Sequence, residues 1–138
     1  MKKLLTNNYG YSLIDLTASL LFLALVITVS IPVLSEIKNR FDLKRNTEEL
    51  KALIEKEIIY SGAASRDIKI TIAKTVSVSK DNKATLVWKP AKGITLAPHG
   101  TIHIHSGLTL SPYSIRLKKG AAGCKISISL RGRVQTKC

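Results

Sequence analysis

Acidic residues run out at Asp81. The chain has 138 residues with nine Asp and Glu against 22 Lys and Arg, and all nine acids lie at or before that position. Residues 82–138 hold no acid, yet carry Lys83, Lys89, Lys92, Arg116, Lys118, Lys119, Lys125, Arg131, Arg133 and Lys137. A chain of net charge +13 attracts polyanions or an anionic membrane surface and repels basic partners. Two cysteines and three histidines leave little for a closed zinc site. His103 and His105 alternate on one strand face and His99 is an uncertain third, so exposed strand histidines are the expectation, with no metal. Aromatics make up 5%, and Trp88, Phe41 and the four tyrosines are too scattered to form stacking platforms for single-stranded nucleic acid. No Gly-rich phosphate loop, internal repeat or low-complexity linker occurs. No acid lies near the histidines in sequence, so catalysis has no foothold, and neither enzyme activity nor a cofactor is expected. Hydrophobic residues at 45% exclude a disordered chain.

What is present begins with a long apolar run. Residues 16–35 (LTASLLFLALVITVSIPVLS) carry no charge and are bounded by Asp15 and Glu36. A helix of that length rises roughly 30 Å, the thickness of a bilayer's hydrocarbon core. Lys2 and Lys3 precede it, which keeps the N-terminus cytoplasmic and sends the remainder outward. A secretory signal peptide has a shorter apolar core followed by a small-residue cleavage site, and neither is seen here. The segment, about residues 13–35, is therefore expected to stay as an anchor. Asp15 is out of place there, because a carboxylate costs about 2.5–3.5 kcal/mol at the bilayer centre and less near the interface. A cut after Gly10 would supply its partner, a new α-amine on Tyr11.

Lys2-Lys3, Gly10-Tyr11-Ser12-Leu13-Ile14-Asp15, the apolar helix and Pro32 together resemble the class III signal of type IV prepilins and pseudopilins. The resemblance implies a leader of residues 1–10, removed by prepilin peptidase at Gly10-Tyr11, and N-methylation of Tyr11. It further implies an assembly role for Asp15 in setting each subunit against its neighbour, and a helix kink at Pro32. Tyr11 stands where the family usually has Phe, and Asp15 where it usually has Glu. The implied setting is the bacterial inner membrane as a single-pass protein, and then a pilus or pseudopilus with the C-terminal part periplasmic or extracellular.

Leu50, Leu53, Ile54 and Ile58 recur at helical spacing, which predicts helix through to residue 60 with Ser61-Gly62 as the stop. Residues 43–46 lack a strong apolar stripe, and a slight break is expected there. From Asp67 the period becomes two: Ile68, Ile70 and Ile72, then Val76 and Val78, alternate with polar residues. A turn at residues 80–83 and strands over 85–89, 94–97, 101–105, 113–118 and 124–130 follow, the last with Cys124, Ile126, Ile128 and Leu130 on one face. The expected class is α+β: one long Pro-kinked helix over residues 11–60, then an antiparallel β domain over 61–138 with a hairpin tail. A strand-rich body, the turn Leu96-Ala97-Pro98-His99-Gly100 and the ending Arg131-Gly132-Arg133-Val134 resemble the FimT/GspH group of minor pilins and minor pseudopilins. DNA-binding members of that group end in Gly-Arg-x-Arg. Here Gly132 and Arg133 fit, and Gln135 replaces the second Arg.

On that topology Cys124 and Cys138 face an oxidising compartment, which favours a disulfide. It closes a loop of about 15 residues, worth ~3 kcal/mol by chain entropy. Two free thiols are the alternative if the topology is reversed. The bridge would fold the tail into a hairpin with Arg131-Gly132 at its tip. Two functions stay open. One is a minor pilin that binds double-stranded DNA without sequence preference through Lys125, Arg131, Arg133 and Lys137. The other is a minor pseudopilin of a type II secretion system with no DNA role. Partners in either are other pilins or pseudopilins through the N-terminal helix, prepilin peptidase and the inner membrane.

Overall fold

In the computed structural model, which describes residues 13–81 and 83–138, a 52-residue helix α1 (Leu13–Ala64) precedes nine strands. The expected class, a helix with an apolar stretch followed by antiparallel sheets, is what the chain adopts. The chain divides into two compact units, Met1–Glu36 and Ile37–Cys138. Gly10 and Tyr11, the cleavage and methylation positions, lie outside the described residues.

In the first unit the helix is long and apolar enough to cross a membrane, with a mean hydropathy of 2.4 over its best window. Its apolar side chains, Leu16, Leu20, Phe22 and Val29 among them, are exposed. Its five hydroxyls are all turned back onto the helix. Thr17 donates to Ile14 O (2.9 Å), Ser19 to Leu16 O (2.8 Å), Thr28 to Ala24 O (2.6 Å), Ser30 to Val26 O (2.7 Å) and Ser35 to Pro32 O (2.8 Å). Lipid offers no hydrogen bonds, so a segment in hydrocarbon must satisfy its polar groups internally. Pro32 lies inside the helix.

In the second unit α1 buries Leu43, Asn46, Thr47, Leu50, Ile54, Glu57, Ile58 and Ser61, spaced three and four residues apart. The helix runs unbroken through residues 43–46, contrary to expectation. The stripe there is half polar, and its polar members are satisfied. Asn46 Nδ2 donates to Asp42 O at 2.9 Å, Asn46 Oδ1 accepts from Ala91 N at 3.0 Å, and Thr47 Oγ1 donates to Leu43 O at 2.8 Å. Nor does the helix stop at Ser61-Gly62. Ser61 is fully buried, and its hydroxyl donates to Arg66 O (2.6 Å) while accepting from Gly107 N (3.3 Å). Gly62 packs closely on Gly107, where an added Cβ would lie 3.2 Å from the Gly62 Cα. The helix ends one turn later, where Ser65 takes a positive φ of 48° and Arg66 N donates to Ser61 O at 3.2 Å, a Schellman-type closure.

Nine strands form two antiparallel sheets. Sheet A has the order β3-β2-β1-β5-β6, from β1 (Ile68–Ile72), β2 (Val76–Lys80), β3 (Lys83–Trp88), β5 (Gly100–His105) and β6 (Leu108–Thr109). Sheet B has the order β4-β7-β8-β9, from β4 (Thr95–Ala97), β7 (Tyr113–Lys119), β8 (Ala122–Ile128) and β9 (Val134–Lys137). One apolar cluster joins the helix stripe to Ile68, Ile70, Val76, Val78, Ile102 and Ile104 of sheet A and to Ile115, Leu117, Ile126 and Ile128 of sheet B. Trp88 packs partly against it. β8 ends at Ile128 rather than Leu130, because the chain turns at Ser129, and Leu130 is 53% exposed instead of inward.

An ion pair ties helix to sheet B. Lys119 Nζ lies 2.6 Å from Asp42 Oδ2. That hydrogen bond holds the Asp42 carboxyl below its ordinary value against the opposing effect of burial, with smaller help from the charges of Lys119, Lys38 and Arg45. A carboxyl depressed in the folded state binds fewer protons there than when unfolded. Its stabilisation is therefore present above the ordinary carboxyl range and is lost as pH falls through the folded value. Asp42→Asn should lower the urea midpoint at pH 6 and flatten the acid limb below about pH 4. An unchanged acid limb would mean that the pair adds nothing.

Candidate functional site

Sheet B arranges the C-terminal bases. In β7 and β8 the inward positions are Ile115, Leu117, Cys124, Ile126 and Ile128, so the intervening residues point out. Register places Arg116 opposite Lys125, and Lys125 opposite Lys137. Three exposed bases thus stand side by side on three adjacent strands, about 4.5–5.5 Å apart at their Cβ atoms. Lys118 is exposed on the same face, and the four line one shallow cleft with Gly123 and Cys138. Like charges directly opposite each other destabilise a sheet, and no acid on sheet B relieves these.

The tail forms a second cleft beside the row, lined by Ser127, Ser129, Arg131, Arg133 and Gln135. Ser129 opposes Arg133 through Ser129 N donating to Arg133 O at 3.0 Å, and the turn closes with Gly132 N donating to Ser129 O at 2.9 Å. Gly132 has φ +73°, and a Cβ on it would meet Gly107 O at 2.7 Å and Ile58 Cγ2 at 2.8 Å. No side chain fits there. Thr109 pins the turn from sheet A, its N donating to Leu130 O (3.1 Å) and its hydroxyl to Ser129 O (2.7 Å). Cys124 and Cys138 are joined in a disulfide at the other end of the hairpin.

Of the four bases singled out in the sequence, Lys125 and Lys137 share the row, whereas Arg131 and Arg133 occupy the tail cleft across the Ser127–Gln135 rung. Sequence reading missed Arg116 and Lys118. Their alternation with Ile115 and Leu117 placed them on the outer face, but only register puts Arg116 against Lys125. Lys119 leaves the basic face, because its parity turns it inward to Asp42. Asp15 is exposed on the helix. The histidines need one correction: an acid does stand beside them. Asp67 Oδ1 contacts His105 Nδ1, and Asp67, His103 and His105 share a depression with Lys69 and Asp81. The antiparallel pairing of β1 and β5 brings these distant residues together. Among the described residues no three His, Cys, Asp or Glu side chains are placed to hold a metal ion. Comparison with protein-family models, with curated proteins and with solved structures finds no match to this chain.

Proposed function

We propose that the chain is a minor type IV pilin, anchored by residues 13–35, that binds duplex DNA without sequence preference through the outer face of sheet B. The observation that carries the binding reading is the Arg116–Lys125–Lys137 row, in which three bases are held in direct cross-strand register without an acid between them. An anion that neutralises the row relieves this repulsion, and backbone phosphates are such anions. The pilin reading rests on the Gly10-Tyr11 signal and on an apolar helix that satisfies its own hydroxyls, followed by a disulfide-closed antiparallel domain. The N-terminus is cytoplasmic and the sheet domain periplasmic or extracellular in this reading, where the disulfide is stable.

Processing tests the pilin half. N-terminal sequencing of membrane-extracted protein should find Tyr11, and Gly10→Val should leave the uncut precursor starting at Met1. Wild type that still begins at Met1 would end the pilin reading. Asp15→Ala should be cut normally yet enter filaments poorly, because the new amine then lacks its carboxylate. Binding tests the other half. The full chain in neutral detergent should bind a labelled duplex, whatever its sequence, with Kd of about 10⁻⁴–10⁻⁶ M at physiological salt and more tightly at low salt. No binding at low salt would leave a type II secretion pseudopilin as the better account.

A further inference from the structure

We propose that strand β3 is a docking edge for an extended, acid-flanked strand of another protein, which would join sheet A beside it. β3 ends the order β3-β2-β1-β5-β6, so only its β2 side is hydrogen-bonded. The other sheet edges are two, three and four residues long (β6, β4 and β9), whereas β3 has six. Proteins blunt open edges by keeping them short or by placing charges within them. The β3 interior, Ala84-Thr85-Leu86-Val87-Trp88, has no charge. Leu86 and Trp88 are register partners of the buried Val78 and Val76, yet Leu86 is 40% exposed, while Trp88 packs partly against the core. On the opposite face Val87 is 54% exposed. An incoming strand would find main-chain partners along the edge and apolar side chains on both faces, as in recognition by strand addition.

Charge selects the occupant. Lys83 and Lys89 bracket the apolar stretch, and no ion pair reaches either among the described residues. Asp81, the nearest acid in sequence, is engaged by Arg66 at 3.6 Å. A second copy is a poor fit. Paired antiparallel about Leu86 it would set Lys83 against Lys89 at both ends, and paired parallel it would set each lysine against its own copy. A partner strand with acids at its ends and β-branched residues between them meets all three features. This edge lies on sheet A and the basic row on sheet B, so the two proposals stand or fall separately.

Trp88 is the chain's one tryptophan, so its emission reports directly on this edge. The probe is the acetylated, amidated heptapeptide Glu-Val-Thr-Val-Thr-Val-Glu, titrated into the full chain in neutral detergent. The expected result is a saturable blue shift of Trp88 emission. The same peptide with Lys at both ends should bind at least about ten-fold more weakly, and one N-methylated at every Val and Thr should give no shift. In the Lys83→Glu/Lys89→Glu variant the preference should reverse toward the Lys-ended peptide. The proposal is overturned by absence of a saturable shift, by equal binding of the N-methylated peptide, or by an unchanged preference in the charge-reversed variant. A shift that follows protein concentration without peptide would make a second copy the occupant and would overturn it too.

Discussion

Lys80→Met should lower the stability of the full chain by about 3–5 kcal/mol, the range for breaking a buried ion pair from one side. The Glu57 side chain is 4% exposed and lies 2.9 Å from Lys80 Nζ, which also sits 4.0 Å above the Tyr60 ring. Methionine keeps the length of the stem and removes the charge, leaving a carboxylate inside the core stripe with no cation. The opposite change is milder: in Glu57→Gln the lysine, 21% exposed, can still reach water. Adding Glu57→Leu to Lys80→Met should recover most of the loss, because an apolar pair of similar volume replaces both charges. Urea midpoints of the three variants check this. A Lys80→Met variant within about 1 kcal/mol of the parent, or a double variant as unstable as the single, would contradict the buried-pair reading.

Glu57 also shows what could and could not be read in the sequence. The apolar members of the helix stripe, Leu50, Ile54 and Ile58, are legible because burial of a helix face repeats at three and four residues. Asn46, Glu57 and Ser61 belong to the same stripe and read as surface, since each is buried against a specific partner. Those partners, Ala91, Lys80 and Gly107, are distant in sequence. Gly62 read as a stop for a similar reason, since its close contact with Gly107 is invisible before folding. Alternation exposed β1, β2, β7 and β8, whose two faces differ. It missed β6, too short to show a period, and it ran β8 on to Leu130 because the pattern continues past the turn. Charge composition pointed to a basic C-terminal face. Sorting Lys119, turned inward to Asp42, from Lys118 required the folded strand, and pairing Arg116 with Lys125 and Lys137 required the register of three strands.

The second large effect belongs to that row. Replacing Arg116, Lys125 and Lys137 together by Ala removes three cations from one face without touching the core, since all three are exposed. Each phosphate contact contributes about −0.9 to the slope of log affinity against log salt, so the variant's slope should be flatter by roughly two to three units. Affinity at 50 mM salt should fall by about 100-fold or more, equally for unrelated duplexes. Arg131→Ala/Arg133→Ala, in the adjoining cleft, should flatten the slope by roughly one to two units. Lys69→Ala/Lys74→Ala, which removes two exposed bases near sheet A, tests for diffuse charge attraction and should change it little. Reducing the disulfide should weaken binding less than removing the tail arginines, because Thr109 still holds the turn. The most direct test is the salt slope of duplex binding for the full chain, the row variant and the Lys69/Lys74 control, side by side. The account predicts a slope flattened by two to three units in the row variant alone, and equal slopes for the row variant and the control would contradict it.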